Sequence, residues 1–441
     1  MKALPVTDPQ GTDTEMLDKL LRETFPYFIS EVNAATGLIA DKTMPGSPSS
    51  IAAVGMALSS FVVAVKRNII DRGEAVERTL KILRFFYNSH QGPEINAMGY
   101  KGFYYHFLDM ETGERVWDCE LSTVDTTFFI AGALSCANYF TGHTDDEKEI
   151  SRLADELYKR IDWQWALNGT KTICLGWKPG SGFLPYYWDR DYSEALLMYT
   201  LALGSPTFPI GAEGYKQWTD TFQCQTLYNI DHLYSGPLFI HQLSHIWIDF
   251  RGIQDDFNRR VGIDYFENSK RATYVQQAYA IENKPGFAHY GKYCWGFTAS
   301  DGPGVESAIV NGKLYVFYDY IARGAPFGPD DGTVSPWAVV ASLPFAPEIV
   351  LDTIRHAIER LNLKKHSWYG FDASFNPSYP VKERNPNGWV SPWKFGLNQG
   401  PIILMIENYE SGLLWEVMKR CPYIKTGLRK AGFRNGWLDS D

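Results

Sequence analysis

Two acidic segments stand out for their chemistry: Trp117-Asp118-Cys119-Glu120-Leu121-Ser122-Thr123-Val124-Asp125 and Trp188-Asp189-Arg190-Asp191-Tyr192-Ser193-Glu194-Ala195-Leu196. In each, an aromatic loop runs into an apolar stretch of helical period, and a glutamate sits at the junction. Two carboxyl groups facing one bond, one giving a proton and the other acting as base or nucleophile, are what most glycosidic bond cleavage requires. Glu120, Glu194 and Asp125 are therefore the candidate catalytic acids. Asp125 also fits a Ser/Thr-x-x-acid cap with Ser122, and Asp191 stands where a cap for Glu194's helix is expected. Glu120 precedes its helix, so capping does not account for it. Glu194 carries a conflict. A helix N-terminus draws a carboxyl pKa down, a general acid needs it raised, and burial under Trp188, Tyr187 and Phe183 is what could reverse the balance. The spacing leaves the roles of acid and partner unassigned.

The elements that must position these acids are mostly helical. Apolar residues recur at helical spacing over about 15–33, 50–68, 73–90, 123–141, 146–162, 191–204, 213–221, 236–251, 266–282, 335–342, 347–361 and 398–419. Long loops rich in Gly, Pro, Trp and Tyr (92–113, 176–191, 287–304, 324–336) alternate with short polar turns at 71–74 and 141–147. The alternation predicts an all-α fold, an α/α toroid with long aromatic loops building a cleft at one end, and short β-hairpins at 102–108 and 313–318 as decoration. No Pro- or Ser-rich linker divides the chain, so the expectation is an N-terminal tail, 1–14, followed by one domain, 15–441. The rival architecture is an irregular all-α domain with a β insertion near 286–330.

A net charge of −9 and the absence of any basic stripe exclude a nucleic-acid backbone as partner. Aromatic residues make up 15% beside 21% charged, and aromatic faces suit both a core and the apolar faces of sugars. The six cysteines show no Cys-x-x-Cys pair and read as free, mostly buried thiols. No apolar run is long enough to span a membrane, and residues 1–14 lack the apolar stretch of a signal peptide. The expectation is a cytoplasmic protein, or a periplasmic one if the N-terminus has been trimmed.

His241-Gln242-Leu243-Ser244-His245 has the four-residue histidine spacing of helical zinc sites, but Gln242 stands where a zinc protease needs Glu and no third ligand is evident. The expectation is no metal and no cofactor, with the imidazoles bonded to hydroxyls or paired in the interior. Arg251 follows closely enough to join that network. Asp301-Gly302-Pro303-Gly304 and Asp330-Asp331-Gly332-Thr333 are turn sequences whose acids suit either turn bonding or sugar hydroxyls. Trp177, Trp188, Trp295, Trp337, Trp389 and Trp393 fall in or beside the long loops, where some would act as sugar-stacking platforms. No phosphate-binding Gly loop and no Gly-x-Ser-x-Gly elbow occurs.

Several segments together resemble the bacterial glucoamylase-like domain family. They are Ser50-Ile51-Ala52-Ala53-Val54-Gly55, Gly102-Phe103-Tyr104-Tyr105-His106-Phe107-Leu108-Asp109, Glu120 through Thr126, Ser193-Glu194-Ala195, Pro237 through Gln242 with Trp247 through Arg251, Thr298 through Pro303, Asp331-Gly332-Thr333 and Gln399-Gly400-Pro401. The resemblance covers nearly the whole chain. It implies an (α/α)6 barrel acting on β-1,2-linked glucan or its oligosaccharides, as a hydrolase or transglycosylase, and places this chain nearer the transglycosylase-like side. In it Glu194 matches the acid of the Asn/Ser-Glu-Ala segment, and Glu120 and Asp125 match the acids of the Glu-Leu-Ser-Thr-x-Asp segment. Expected substrate contacts are Tyr104, His106, Trp177, Trp188, Asp191, His241, Gln242, His245, Arg251, Trp295, Asp301, Asp331, Trp393, Asn398 and Gln399. One departure is Asn398, where many relatives have Asp before Gln-Gly-Pro; its loss of a base tilts the expectation towards a retaining route. A non-catalytic glucan-binding protein, a glycosidase on another linkage, and a lyase on a similar toroid are the rivals. The acidic balance speaks against the lyase.

Overall fold

The computed structural model describes residues 11–142, 144–310, 312–364, 368–381 and 385–439. Most of the expected tail, residues 1–10, lies outside the described residues. Asp13 already opens the helix Asp13–Thr24, started by a reciprocal cap between Thr12 and Glu15.

Two kinds of helix make the body, and composition separates them. Ile51–Lys66, Thr123–Tyr139, Leu196–Gly204 and Gly396–Glu410 are buried along nearly their whole length, with charge almost absent except at their ends. A helix apolar on every side must be enclosed by others. Asp145–Lys159 is the opposite kind. It buries Ile150, Leu153, Ala154, Leu157 and Tyr158, an i, i+3, i+4, i+7, i+8 stripe, and turns its charged residues to water except Glu147, which is buried against Arg72. Arg72–Tyr87 behaves likewise, starting at an Asp71 cap. Ile51–Lys66 packs against both Thr123–Tyr139 and Gly396–Glu410, and Thr123–Tyr139 in turn touches Leu196–Gly204; the amphipathic helices Arg72–Tyr87 and Asp145–Lys159 pack on each other outside them. The molecule is thus helix-rich, with an enclosed set of helices and a covering set.

The innermost crossing depends on two glycines. A Cβ on Gly55 would lie 2.2 Å from the Phe128 carbonyl oxygen, and one on Gly132 would lie 2.3 Å from the Gly55 carbonyl oxygen. Neither backbone can yield without separating the helices. Gly55→Ala is expected to destabilise the fold by about 1–3 kcal/mol, as overpacked sites do. A urea midpoint equal to wild type would contradict this contact.

The structure corrects four element expectations. The region 236–251 is no α-helix but two short 3-10 turns, Leu238–His241 and Leu243–Ile246, because the side chains of His241, Gln242 and Ser244 bond to neighbouring segments rather than leaving the backbone to its own ladder. Helix 191–204 begins only at Leu196, and 398–419 is two helices broken at Gly412, whose φ of +70° suits glycine. The expected hairpin at 102–108 is divided: Phe107–Leu108 pairs with Ser49–Ser50, while Phe103–Tyr105 joins a five-stranded antiparallel sheet, Gly99–Tyr100, Phe103–Tyr105, Leu121–Ser122, Gly176–Lys178 and Gly182–Phe183 in chain order. Its strands are two or three residues long, too short for an alternating pattern to be read. The strand Lys313–Phe317 does pair with Glu306–Val310 as a hairpin. Five cysteines are buried and Cys224 is exposed, all of them free.

Candidate active site

The site is built where enclosed helices begin. Ser50 caps Ile51–Lys66 and its strand pairs Ser50 with Phe107, while the Ile51 N–H donates to the His106 carbonyl. Ser122 caps Thr123–Tyr139, so Asp125 falls in its first turn. Glu194 lies two residues ahead of Leu196–Gly204, and the Gly396 N–H donates to the Asp41 carbonyl where Gly396–Glu410 starts. Helix N-termini are partly positive, which suits an assembly of carboxylates.

At the centre is His106. Its Nδ1 lies 2.9 Å from Glu120 Oε1 and its Nε2 3.7 Å from Asp125 Oδ2. Burial alone would push the imidazole pKa down, but the charges of Asp125, Glu120 and Asp41 outweigh it and raise it to about 9. His106 is therefore an imidazolium at neutral pH, donating to Glu120. Burial also pushes Glu120 up, but the hydrogen bond and charge of His106 prevail and its carboxyl ends below the ordinary value. Asp125 is buried and accepts the Ser122 hydroxyl at 2.5 Å.

Glu194 behaves differently. Burial raises it, its own N–H opposes, and the charge of Asp125 adds a smaller push upward, to about 7. The conflict left open by the sequence resolves in favour of burial. The expected Asp191 cap is not formed: Asp191 is exposed at φ +54°, its N–H donates to Thr221 Oγ1, and the cap position is Ala195. Ser244 does that work from another segment, its hydroxyl donating to the Glu194 carbonyl at 2.8 Å and accepting the Leu197 N–H at 3.1 Å. Tyr192 stacks on Tyr265 at 5.7 Å and fixes the strand of chain leading in.

Other expected residues divide into three groups. Trp188 is half-buried and its Nε1 donates to Thr123 Oγ1 beside Asp125. Asp301 accepts the Ser391 hydroxyl at 2.7 Å, and that hydroxyl also touches the Trp393 backbone, so Asp301 and Trp393 share one wall. Asn398 and Gln399 are buried in the first turn of Gly396–Glu410. A second group is closed inside the body and offers a sugar no surface. Tyr104 donates to the Phe86 carbonyl, Trp295 to Thr353, and Gln242 to Ala338 and Ser342. His241 and His245 bond to Ser235 and Ser269, and burial pushes each down to about 3, so both are neutral interior groups. Asp331 pairs with Arg323, both without exposure. These six expectations are corrected: each side chain is sealed from solvent and bonds to other parts of the chain through at least one polar atom. In the third group, Arg251 pairs with Asp249 and stacks on Trp415, sharing no contact with the acids, and Trp177 packs with Tyr100 and Trp165.

Sequence reasoning missed Asp41 and Tyr320. Burial lifts Asp41 to about 6 against the opposing charges of Lys42 and His106, and Tyr320 feels the charges of Asp41, Asp125 and Asp301. The only trace was the Asp41-Lys42 pair directly after the apolar Leu38-Ile39-Ala40 run. Among the described residues, His106, Glu120 and Asp125 have donor atoms within 4.8 Å of one another, close enough for a metal ion. An ion there would have to displace both imidazole contacts to the carboxylates. A cavity of about 830 Å³ lined by Lys81, Arg84, Phe85, His90 and Glu114 shares none of these residues.

Residues 185–422, more than half of the chain, match the Glycoamylase family, described as "Putative glucoamylase", and the protein belongs to it. A curated relative, an exo β-1,2-glucooligosaccharide sophorohydrolase (non-reducing end) of Parabacteroides distasonis, is 28% identical over 453 residues. The match takes in 95% of this chain but 58% of that protein, so the chain spans little more than half the length of this relative. A solved structure with the same glucoamylase description, from Bacteroides uniformis, superposes with TM-score 0.85 at 29% identity over 98% of this chain and all of that one. The endo-β-1,2-glucanase of Chitinophaga pinensis, solved with sophorotriose and glucose, gives 0.84 at 26% identity over 97% and 100%.

Proposed function

We propose that this protein is a glycoside hydrolase or transglycosylase acting on β-1,2-linked glucan or its oligosaccharides, built as an (α/α)6 toroid in one domain with the acids at the end where the enclosed helices begin. The observation that carries the reading is the meeting of His106, Glu120 and Asp125 within 4.8 Å at the start of one enclosed helix, with Glu194 just ahead of another, where burial and, to a smaller degree, the charge of Asp125 push its carboxyl up to about 7. A carboxyl group so placed is the general acid that gives its proton to the departing sugar oxygen. Asp125 is its partner, and His106 holds Glu120 as an ionised, positioned carboxylate rather than an attacking one, since an imidazolium occupies its Oε1. The substrate class is supported by what the two relatives are named for, one an exo β-1,2-glucooligosaccharide sophorohydrolase and the other an endo-β-1,2-glucanase. Asp301, Trp393, Trp188 and Tyr320 are the proposed sugar contacts, and no metal takes part. Among the described residues no helix is long and apolar enough to cross a membrane.

The pH profile tests this. Raising a carboxyl pKa favours the acid form below it, so kcat/KM on β-1,2-glucooligosaccharides is expected to fall as pH rises through about 7. His106, raised to about 9, keeps its charge across that range and adds no second limb there. Absence of cleavage, or a rate flat between pH 6 and 8, would contradict the assignment. The product anomer separates the two uses of Asp125: retention marks it as nucleophile and inversion as base for a water, matching carboxyl separations of about 5–5.5 Å and 6.5–9.5 Å respectively.

A further inference from the structure

Trp117 combines three properties that rarely coincide. Its indole is 62% exposed, its backbone holds φ +55°, and the loop carrying it is tied down on every side. A bulky side chain in the left-handed region costs about 1 kcal/mol or more relative to glycine, so the loop's backbone alone would favour Gly at this point.

The ties are specific. Arg115, nearly sealed from solvent, donates Nε to the Cys119 carbonyl at 2.7 Å and reaches the Asp118 carboxylate at 2.8 Å. Lys178, from the neighbouring strand, grips the other Asp118 oxygen at 2.6 Å. The Arg115 guanidinium also lies over the Tyr105 ring at 5.0 Å, and the Val116 N–H and Cys119 thiol both reach the Phe107 carbonyl. Every neighbour of Trp117 is thus held, and the indole is the one large group left facing water.

Its position links it to the acids. The Trp117 ring meets Phe107 edge-on at 5.0 Å, and Phe107 lies flat on His106 at 4.0 Å and 9°, the imidazole that holds Glu120. The exposed indole therefore stands two ring layers out from the reacting centre. Covering Phe107 is not enough to explain it, since an edge contact leaves the faces open.

We infer that Trp117 is a preformed stacking platform for a pyranose ring at an outer subsite, so that it sets the preference for longer oligosaccharides without taking part in bond cleavage. The inference rests on the carbohydrate-cleaving reading above. Aromatic faces hold the apolar faces of sugars, and a platform already fixed in place loses little freedom on binding.

The test is Trp117→Gly, which removes the ring and suits the backbone, alongside Trp117→Phe, which keeps an aromatic face. The expected result is an about ten-fold rise in KM for the long β-1,2-glucooligosaccharides with kcat little changed, no change for the shortest substrate cleaved, and near-recovery in Trp117→Phe. The melting temperature of Trp117→Gly is expected to equal or exceed wild type, because glycine relieves the strained φ. A lower melting temperature with uniform loss at all chain lengths would assign the indole to the fold and overturn the inference. So would unchanged KM at every length in an active enzyme. Failure of the wild-type protein to cleave any such oligosaccharide would instead sink the functional reading on which it stands.

Discussion

Glu194→Gln is expected to lower kcat on β-1,2-linked oligosaccharides by about 10²–10⁴-fold, the usual worth of a positioned general acid. Glutamine keeps the shape and the backbone contact with Ser244 but has no proton to give. The loss should shrink on an aryl glycoside whose leaving group departs without protonation, because the step served by Glu194 is then no longer needed. Stability should move the other way. A group whose folded pKa is raised, here to about 7, stabilises fully only below its ordinary value, and that contribution is lost as pH rises through 7. Glu194→Gln should therefore melt no lower than wild type at pH 8. A variant with full activity on oligosaccharides, or one equally crippled on both leaving groups, contradicts the role.

The second large effect concerns Arg323. Its guanidinium meets both oxygens of Asp331 at 2.8 Å, with neither side chain exposed, and also donates to the carbonyls of Ser300, Tyr318 and Asp319. Arg323→Met leaves a buried carboxylate unpaired, which costs about 3–5 kcal/mol when one partner of a sealed pair is removed. The double replacement Arg323→Met with Asp331→Leu should recover much of this, since the pair itself contributes little beyond its mutual compensation. The same guanidinium holds the backbone just before Tyr320 and next to Asp301, so the single variant should also raise KM. Urea denaturation of the two variants checks the ledger; equal midpoints for single and double would contradict it.

How much of this was legible follows from where each signal lives. Ser122 and Asp125 were readable because a helix cap is a local, three-residue event, and the enclosed helices were readable because their apolar residues recur along one stretch. The His241–His245 pair was readable as imidazoles bonded to hydroxyls or held in the interior, but not as a break in the helix, since the bonds to Ser269, Ala338 and Ser342 come from distant segments and divert the chain into 3-10 turns. Asp331 looked like a turn acid open to ligand, and only the fold supplies Arg323. Glu194 shows the same limit from the other side: its place at a helix entrance was visible, but the burial and the Asp125 charge that raise it are products of packing. Asp41 was missed because its neighbours His106 and Asp125 lie more than sixty residues away.

The most direct measurement is incubation of the protein with a panel of linkage-defined glucans, followed by proton NMR of the products. The account predicts new anomeric signals from β-1,2-linked substrates alone, abolished by Glu194→Gln. Turnover of another linkage in preference, or saturable binding of β-1,2-glucan with no change in any anomeric signal, would contradict it.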